Sequence, residues 1–302
     1  MKNNPFFCGC EKDGKALNFR AMKLAFTTLG CPNWDLSTIL QRANEYGYAG
    51  IDFRGYSAEI DLRKAQIFAS AEIAKTARQV ADAGLAVSAM SSGAHMFDAT
   101  PEARQASLDE MMAYAELAHG VGAKFVRIFG GGLGGVPLED ALPVAAQTLC
   151  HASEIAQQAG IVFVVETHDD WVATPPLARV FEMAGNPKSV EMLWDVHHPY
   201  RMKGESPETT WQNIGKRVRY THWKDSLPKP DGGYTLTRFG QGDIPLKKIF
   251  DVMTAGGYNG WHTLEWEKRW CPYLDEPEVA FPDFVRVMKN FETEHGLPAR
   301  DN

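Results

Sequence analysis

The sequence predicts a single-domain α/β fold, a (β/α)8 barrel of the TIM type, on three observations. Eight short apolar runs alternate with stretches of helical periodicity from residue 22 onward. Glycines close several helical stretches just ahead of the next run. Four of the later runs end on a carboxylate or an imidazole, with most of these ends about one βα unit apart. An open doubly wound sheet is the competing architecture. It is disfavoured because no Gly-x-Gly-x-x-Gly turn follows the first run.

Taken in order, residues 1–21 are polar and weakly patterned and are expected to form a flexible N-terminal extension. Met22-Lys-Leu-Ala-Phe26 opens the first strand, expected over 23–28, and the barrel is expected to fill 22–302. Leu36, Ile39, Leu40 and Ala43 recur at helical spacing, with Asp35 placed as N-cap. Tyr46-Gly-Tyr-Ala-Gly50 leads into a strand at 49–53, and Gly257-Tyr-Asn-Gly260 into one at 260–265. Gly84 and Gly122 precede strands at 86–90 and 124–129. Thr100-Pro101 supplies a cap and first turn for a helix carrying Leu108, Met111, Met112, Ala115 and Ala118. A helix from Pro137 to Ala159 stops at Gly160, and strands follow at 161–166, 190–195 and 217–222. The last helix is expected from Pro282 to His295, stopped by Gly296.

Ile161-Val-Phe-Val-Val165 runs into Glu166, Val190-Glu-Met-Leu-Trp194 into Asp195, Val218-Arg-Tyr-Thr221 into His222, and Trp261-His-Thr-Leu264 into Glu265. In a parallel barrel all strand C-termini open on one face, so these four side chains can converge. Three carboxylates and an imidazole at one point repel without a cation. The set suits one divalent ion, with Mn2+ or Mg2+ favoured on ligand hardness. Salt bridges at the barrel rim are the competing use of the same groups. The spacings are 29, 27 and 43 positions, the last stretched by a Pro- and Gly-rich excursion from Ser226 to Asp243. An insertion at that rim is expected to be a lid or substrate loop.

Other candidates surround these four. His168, two residues past Glu166, is an expected substrate contact. Lys224, two past His222, is placed to hold a hydroxyl, carboxylate or phosphate, or else to pair with Asp225. His95, in the loop after Ala86-Val-Ser-Ala-Met90, opens on the same face. Arg127 lies inside the fourth strand, where a buried guanidinium needs a carboxylate, and Glu166 on the next strand is the candidate. Arg54, just past the second strand, is a weaker case. Trp34, Phe97, Trp171, Trp194, Trp223 and Trp266 are expected near the rim, to stack on sugar C–H faces or to pack between strands and helices. Gly130-Gly-Gly-Leu-Gly-Gly135 resembles a phosphate cradle but lacks the Lys-Ser/Thr of one, so a flexible rim loop is expected.

With 44% hydrophobic and 23% charged residues, the composition is that of an ordinary globular enzyme. A net charge of −7 argues against a nucleic-acid partner. No apolar stretch approaches the roughly 20 residues that cross a bilayer, and the start lacks a signal-type apolar core. A cytoplasmic protein without a membrane partner is therefore expected. Cys8, Cys10, Cys31, Cys150 and Cys271 are an odd, scattered set, so no disulfide framework is expected. Cys8 and Cys10 lack a second pair and are expected to be inert.

Val165-Glu-Thr-His168, Leu193-Trp-Asp-Val-His-His198, Thr221-His-Trp-Lys-Asp225, Gly240-Gln-Gly-Asp243 and Leu264-Glu-Trp-Glu267 fall in order along the chain, with Arg127-Ile-Phe-Gly-Gly131 on the fourth strand. Together they resemble the xylose-isomerase-like TIM-barrel superfamily, particularly its sugar (phosphate) isomerase/epimerase branch, over roughly residues 22–295. The resemblance implies Glu166, Asp195, His222 and Glu265 as ligands of one Mn2+, Mg2+, Co2+ or Zn2+. It implies Glu166 and Glu265 as the catalytic pair, one abstracting a proton and the other returning it. Asp195-Val-His-His198 resembles the family's Asp-x-x-His pattern, which makes His198 a substrate contact, and strand alternation would turn His197 away.

The implied activity is isomerisation or epimerisation of a small sugar or polyol through an enediolate. A lyase on the same scaffold, inosose-dehydratase-like or eliminating from a 3-keto-glycoside, is the alternative. A non-catalytic sugar-binding barrel is a third reading. Barrels of this family commonly pair, so a homo-oligomer is an expected partner. The related endonuclease IV branch uses three metals and more histidines than are evident here.

Overall fold

The computed structural model describes residues 22–295. The expectations for residues 1–21, Cys8 and Cys10 included, and for the Gly296 stop lie outside the described residues. In chain order the elements are β1 (Lys23–Thr27), α1 (Leu36–Tyr46), β2 (Gly50–Phe53), α2 (Ile73–Asp82), β3 (Ala86–His95), α3 (Pro101–Val121), β4 (Phe125–Phe129) and α4 (Leu138–Ala159). There follow β5 (Val162–Glu166), α5 (Thr174–Met183), β6 (Val190–Asp195), α6 (His198–Lys203), α7 (Pro207–Ile214) and β7 (Val218–Trp223). The chain then forms β8 (Asp225–Pro228), β9 (Tyr234–Thr237), α8 (Leu246–Ala255), β10 (Trp261–Leu264) and α9 (Pro277–Glu294).

Eight strands close a barrel in the order β1-β10-β7-β6-β5-β4-β3-β2, and the closing pair β1 and β10 is parallel like the rest. With helices between the strands, this is a single (β/α)8 TIM barrel. The local signals act as the sequence implies. Asp35 accepts from the Thr38 N–H and Thr100 from the Ala103 N–H, capping α1 and α3. Gly122 (φ 74°) ends α3 in the left-handed region, which turns the chain into β4. β3 runs on to His95, past a register shift after Ser91, so His95 sits at a strand end instead of in the following loop.

Two elements depart from expectation. α9 starts at Pro277, which fits the first turn of a helix, and Pro282 lies inside it, where its missing N–H leaves the Glu278 carbonyl without a helical donor. The Ser226–Asp243 excursion carries an antiparallel hairpin, with Asp225 opposite Thr237 and Pro228 opposite Tyr234. The Asp225 carboxylate accepts from the backbone N–H groups of Ser226, Gly240, Gly242 and Ile244, which fastens both ends of the hairpin.

The interior of the barrel is filled by Ala89, Val164, Leu193 and Tyr220. Side chains along a strand alternate between faces. Two residues beyond Val164, Leu193 and Tyr220, the strands therefore again point inward, at Glu166, Asp195 and His222. The apolar plug is the floor on which these polar groups stand. The larger core lies between strands and helices. Among the described residues no helix is long and apolar enough to cross a membrane.

Candidate metal centre

Glu166, Asp195, His222 and Glu265 are buried, and each offers one ligand atom within 4.8 Å of the others. They stand at the ends of β5 and β6, within the end of β7, and just past β10. His222 Nδ1 lies 3.1 Å from Glu166 Oε1 and 3.3 Å from Glu265 Oε1. Its Nε2 lies 3.0 Å from Asp52 Oδ2. Asp52 in turn accepts from Ser91 Oγ at 2.8 Å. Sequence reasoning missed Asp52. The available signal was an acid inside the apolar strand Gly50-Ile-Asp-Phe53, where a carboxylate needs a partner.

Two cations brace the acids. Arg127 Nε lies 3.3 Å from Glu166 Oε2, both side chains being buried, and Arg127 Nη1 donates to the Ser92 carbonyl at 2.9 Å. Lys224 Nζ lies 2.6 Å from Glu265 Oε2 and 2.9 Å from both Asp195 Oδ2 and Glu267 Oε1. The alternative Lys224–Asp225 pair does not form, because Asp225 points into the hairpin and is occupied by backbone donors.

Burial pushes the Glu166 carboxyl up and the Glu265 charge adds to this, but His222 and Arg127 outweigh both and hold it below the usual range. Burial likewise raises Glu265, yet Lys224 and His222 hold it well below. Asp195 is pushed up to about 7 by burial, with Glu265 and Glu166 adding and Lys224 opposing. Burial disfavours the His222 imidazolium, but Glu265, Glu166 and Asp52 hold its value well above the ordinary one. The acids thus hold positive charge around them, a proton on His222 included.

That donor set fits a divalent ion. Glu166 Oε2 and Asp195 Oδ2 are buried oxygens that meet a cation, Arg127 and Lys224, without a well-aligned hydrogen bond. Three hard oxygen donors and one imidazole, whose second nitrogen a carboxylate secures, make a recognisable ligand set. An ion there would release the His222 proton and relieve Asp195.

The remaining candidates ring Phe129, at the end of β4. The Arg127 guanidinium lies 3.6 Å from the ring centre, and the rings of His168 and His95 lie 4.6 Å and 6.2 Å from it. His95 Nδ1 is 2.9 Å from Asp98 Oδ1, and this bond raises its pKa against the effect of burial. His168 Nδ1 is 2.7 Å from Asp169 Oδ1; burial lowers it, but Asp169 and Glu166 raise it further. The His168 ring lies 4.8 Å from that of His198, whose Nδ1 is 2.9 Å from the Thr167 carbonyl.

His197 and His198 do not part by strand alternation. The chain leaves β6 at Asp195 and enters α6 at His198, and the two rings stay 5.4 Å apart. They differ in partners: His197 Nε2 lies 2.8 Å from Ser226 Oγ, with its ring against Tyr234 of the hairpin. Burial pushes His197 down to about 2, which keeps it neutral.

Of the two rim expectations, the aromatic one resolves to its packing alternative and the flexible loop is corrected. Phe97, Trp171, Trp194, Trp223 and Trp266 are all buried in the core between strands and helices, so packing is their use. Only Trp34 of the six is partly exposed; it lines a cavity of about 550 Å3 with Tyr56 and Arg269. The Gly130–Gly135 loop is anchored, not loose. The Gly131 N–H donates to Asp169 Oδ2 and the Leu133 N–H to Asp170 Oδ2, and a Cβ at Gly130 would collide with Trp171.

Comparison with known proteins places this chain in a family. The family model described as xylose isomerase-like TIM barrel matches residues 40–291. Uncharacterized protein YihM of Escherichia coli (strain K12) is 28% identical over 202 residues, covering 66% of this chain and 56% of its own length. The chain thus spans little more than half of that relative. Inosose dehydratase of Bacillus anthracis (strain CDC 684 / NRRL 3495) is 24% identical over 222 residues, or 63% of this chain and 72% of the relative.

Two solved structures share the fold. IolI protein with a binding zinc atom superposes with a TM-score of 0.74 at 18% identity, over 91% of this chain and 98% of that one. The 3-keto-D-glucoside 4-epimerase YcjR of E. coli gives 0.69 at 15% identity, over 88% and 99%. With the family model matching most of its length, this chain belongs to the xylose isomerase-like TIM-barrel family.

Proposed function

We propose that the protein removes a proton from the carbon beside a carbonyl in a small sugar or polyol, as a divalent-metal-dependent isomerase or epimerase. The observation that carries this is the placing of Glu166 and Glu265 on His222 Nδ1, inside a ligand set no wider than 4.8 Å. A divalent ion held by Glu166, Asp195, His222 and Glu265 would acidify that C–H bond and stabilise the negative oxygen of the enediolate. Mn2+ or Mg2+ suits the oxygen-rich donors, and the zinc atom of the IolI structure keeps Zn2+ among the ions to test.

The protein's own groups supply the base and the proton. Arg127 helps keep Glu166 ionised and Lys224 helps keep Glu265 ionised, and a bound ion would replace the charge that His222 supplies in the ion-free protein, so either carboxylate can accept a proton at pH 7. One takes the proton and the other returns it, to the opposite face or to the neighbouring carbon. Tyr234 of the hairpin rests on the His197 ring.

Dehydration is the second reading. It shares the proton abstraction and differs in expelling a hydroxyl from the next carbon. The His95–Asp98 and His168–Asp169 pairs favour it, because each holds an imidazole able to protonate a leaving group. Inosose dehydratases among the relatives support it too. Metal-loaded protein incubated in D2O with ketoses and inososes, followed by NMR, separates the readings. Deuterium at carbon without water loss marks an isomerase or epimerase, and water loss marks a dehydratase. Neither change across the panel would sink both.

A further inference from the structure

Arg54 follows β2, and its backbone N–H donates to Thr28 Oγ1 at 2.9 Å. Thr28 Oγ1 also donates to the carbonyl of the left-handed Gly55 (φ 77°), so the root of the Arg54 side chain is held firmly. The guanidinium lies 5.9 Å from the centre of Phe129, the ring that Arg127 also covers. Arg127 has a partner in Glu166. Among the described residues, Arg54 has no carboxylate oxygen within 4.0 Å and no side-chain hydrogen bond.

Arg54 stands in the field of the candidate metal centre. Burial pushes its guanidinium down to about 10; the Arg127 charge adds to this, and Tyr114, Glu265 and Glu166 pull it back. A largely enclosed guanidinium calls for a negative partner. His95 and His168, on the same ring, are already bound to their own aspartates at Nδ1. The mouth is therefore polarised. Two guanidiniums stand beside Phe129 and the one carboxylate there pairs with Arg127 alone, whereas around Lys224 three carboxylates meet one ammonium.

We propose that Arg54 is the specificity residue of the mouth and receives an anionic oxygen group of the substrate, a carboxylate or a phosphate, beside Phe129. The reacting carbon is then turned toward Glu166 and Glu265. The planar fork of a guanidinium suits two oxygens of either group. This inference deepens the proposed function and rests on the barrel mouth being the substrate site.

The test is calorimetric titration of the full chain, stripped of metal by chelation, with inorganic phosphate, D-glucuronate and uncharged D-glucose. At least one anion is expected to bind about tenfold or more tightly than glucose. Arg54→Met, and Arg54→Gln titrated in parallel, should each lose that advantage while keeping the circular dichroism of the wild type. Tighter glucuronate binding assigns a carboxylate, and tighter phosphate binding a phosphoryl group. Anions no tighter than glucose, or an advantage that persists in a folded Arg54 variant, would overturn the proposal. No metal is present and no turnover is read, so failure here is separate from failure of the D2O experiment.

Discussion

His222 Nε2 lies 3.0 Å from Asp52 Oδ2, a bond across the barrel between two fully buried side chains. It holds the imidazole so that Nδ1 faces Glu166 and Glu265. Asp52→Ala should therefore weaken divalent-metal binding about 10–100-fold, as loss of such an orienting carboxylate typically does. Competition against a chromogenic chelator measures this, and an unchanged affinity would remove Asp52 from the role.

Glu265→Gln should abolish C–H exchange in D2O while leaving circular dichroism unchanged, because it removes a base and keeps the shape. His222→Ala should lower bound metal in elemental analysis. Full turnover in the first variant, or full metal content in the second, contradicts the assigned roles.

Arg127 and Glu166 form a buried pair. Removing the arginine leaves Glu166 with His222 as its one remaining cationic partner, so Arg127→Met should destabilise in urea unfolding, by no more than the ~3–5 kcal/mol that breaking a buried pair costs. Adding Glu166→Gln to Arg127→Met should recover much of that loss. A double variant as unstable as the single one would show that the charge is not what the arginine serves.

Asp195 gives a pH signature in the metal-free protein. Its carboxyl is pushed from 3.8 up to about 7, chiefly by burial, so the folded state holds its proton more tightly than the unfolded chain. That contribution is complete below the unfolded value and is lost as pH rises through the folded one. The thermal midpoint of wild type minus that of Asp195→Asn should thus fall from about pH 4 to about pH 7. His197 and His262, pushed down to about 2 and about 3, pull the other way but are common to both proteins. A difference that is flat or rising with pH would contradict the assignment.

Gly242 approaches Asp225 so closely that a Cβ would collide with the carboxylate and with the Ser226 carbonyl. Gly242→Ala should release the hairpin. Limited proteolysis within residues 226–243 should then speed up while the barrel core stays resistant. Equal cleavage rates would show that this contact does not hold the hairpin down.

The eight barrel strands were legible because each is short, apolar and flanked by glycine or polar residues, which is what burial on both faces demands. The convergence at the mouth followed from parallel strands alone. What escaped depends on partners remote in sequence. Asp52 stands 170 positions from His222; its place inside an apolar strand signals a need for a partner, but nothing local says which residue that is. Lys224 was weighed against its neighbour Asp225, but its partners come from β6 and the segment after β10. The hairpin hid because its glycines and prolines read as loop, whereas the side chain of Asp225 organises it from within. Pro282 read as a helix start because proline favours first turns, and an earlier proline already held that position.

The seam between β1 and β10 joins the first and last strands of the barrel. During synthesis, Glu166, Asp195 and His222 emerge well before Glu265, and although β2 with its Asp52 can pair with β1 and β3, the ring that sets Asp52 opposite His222 closes only when β10 pairs with β1. If these residues hold the proposed ion, its full-strength capture would wait for the last strand, and uptake of metal on refolding would time the completion of the ring itself.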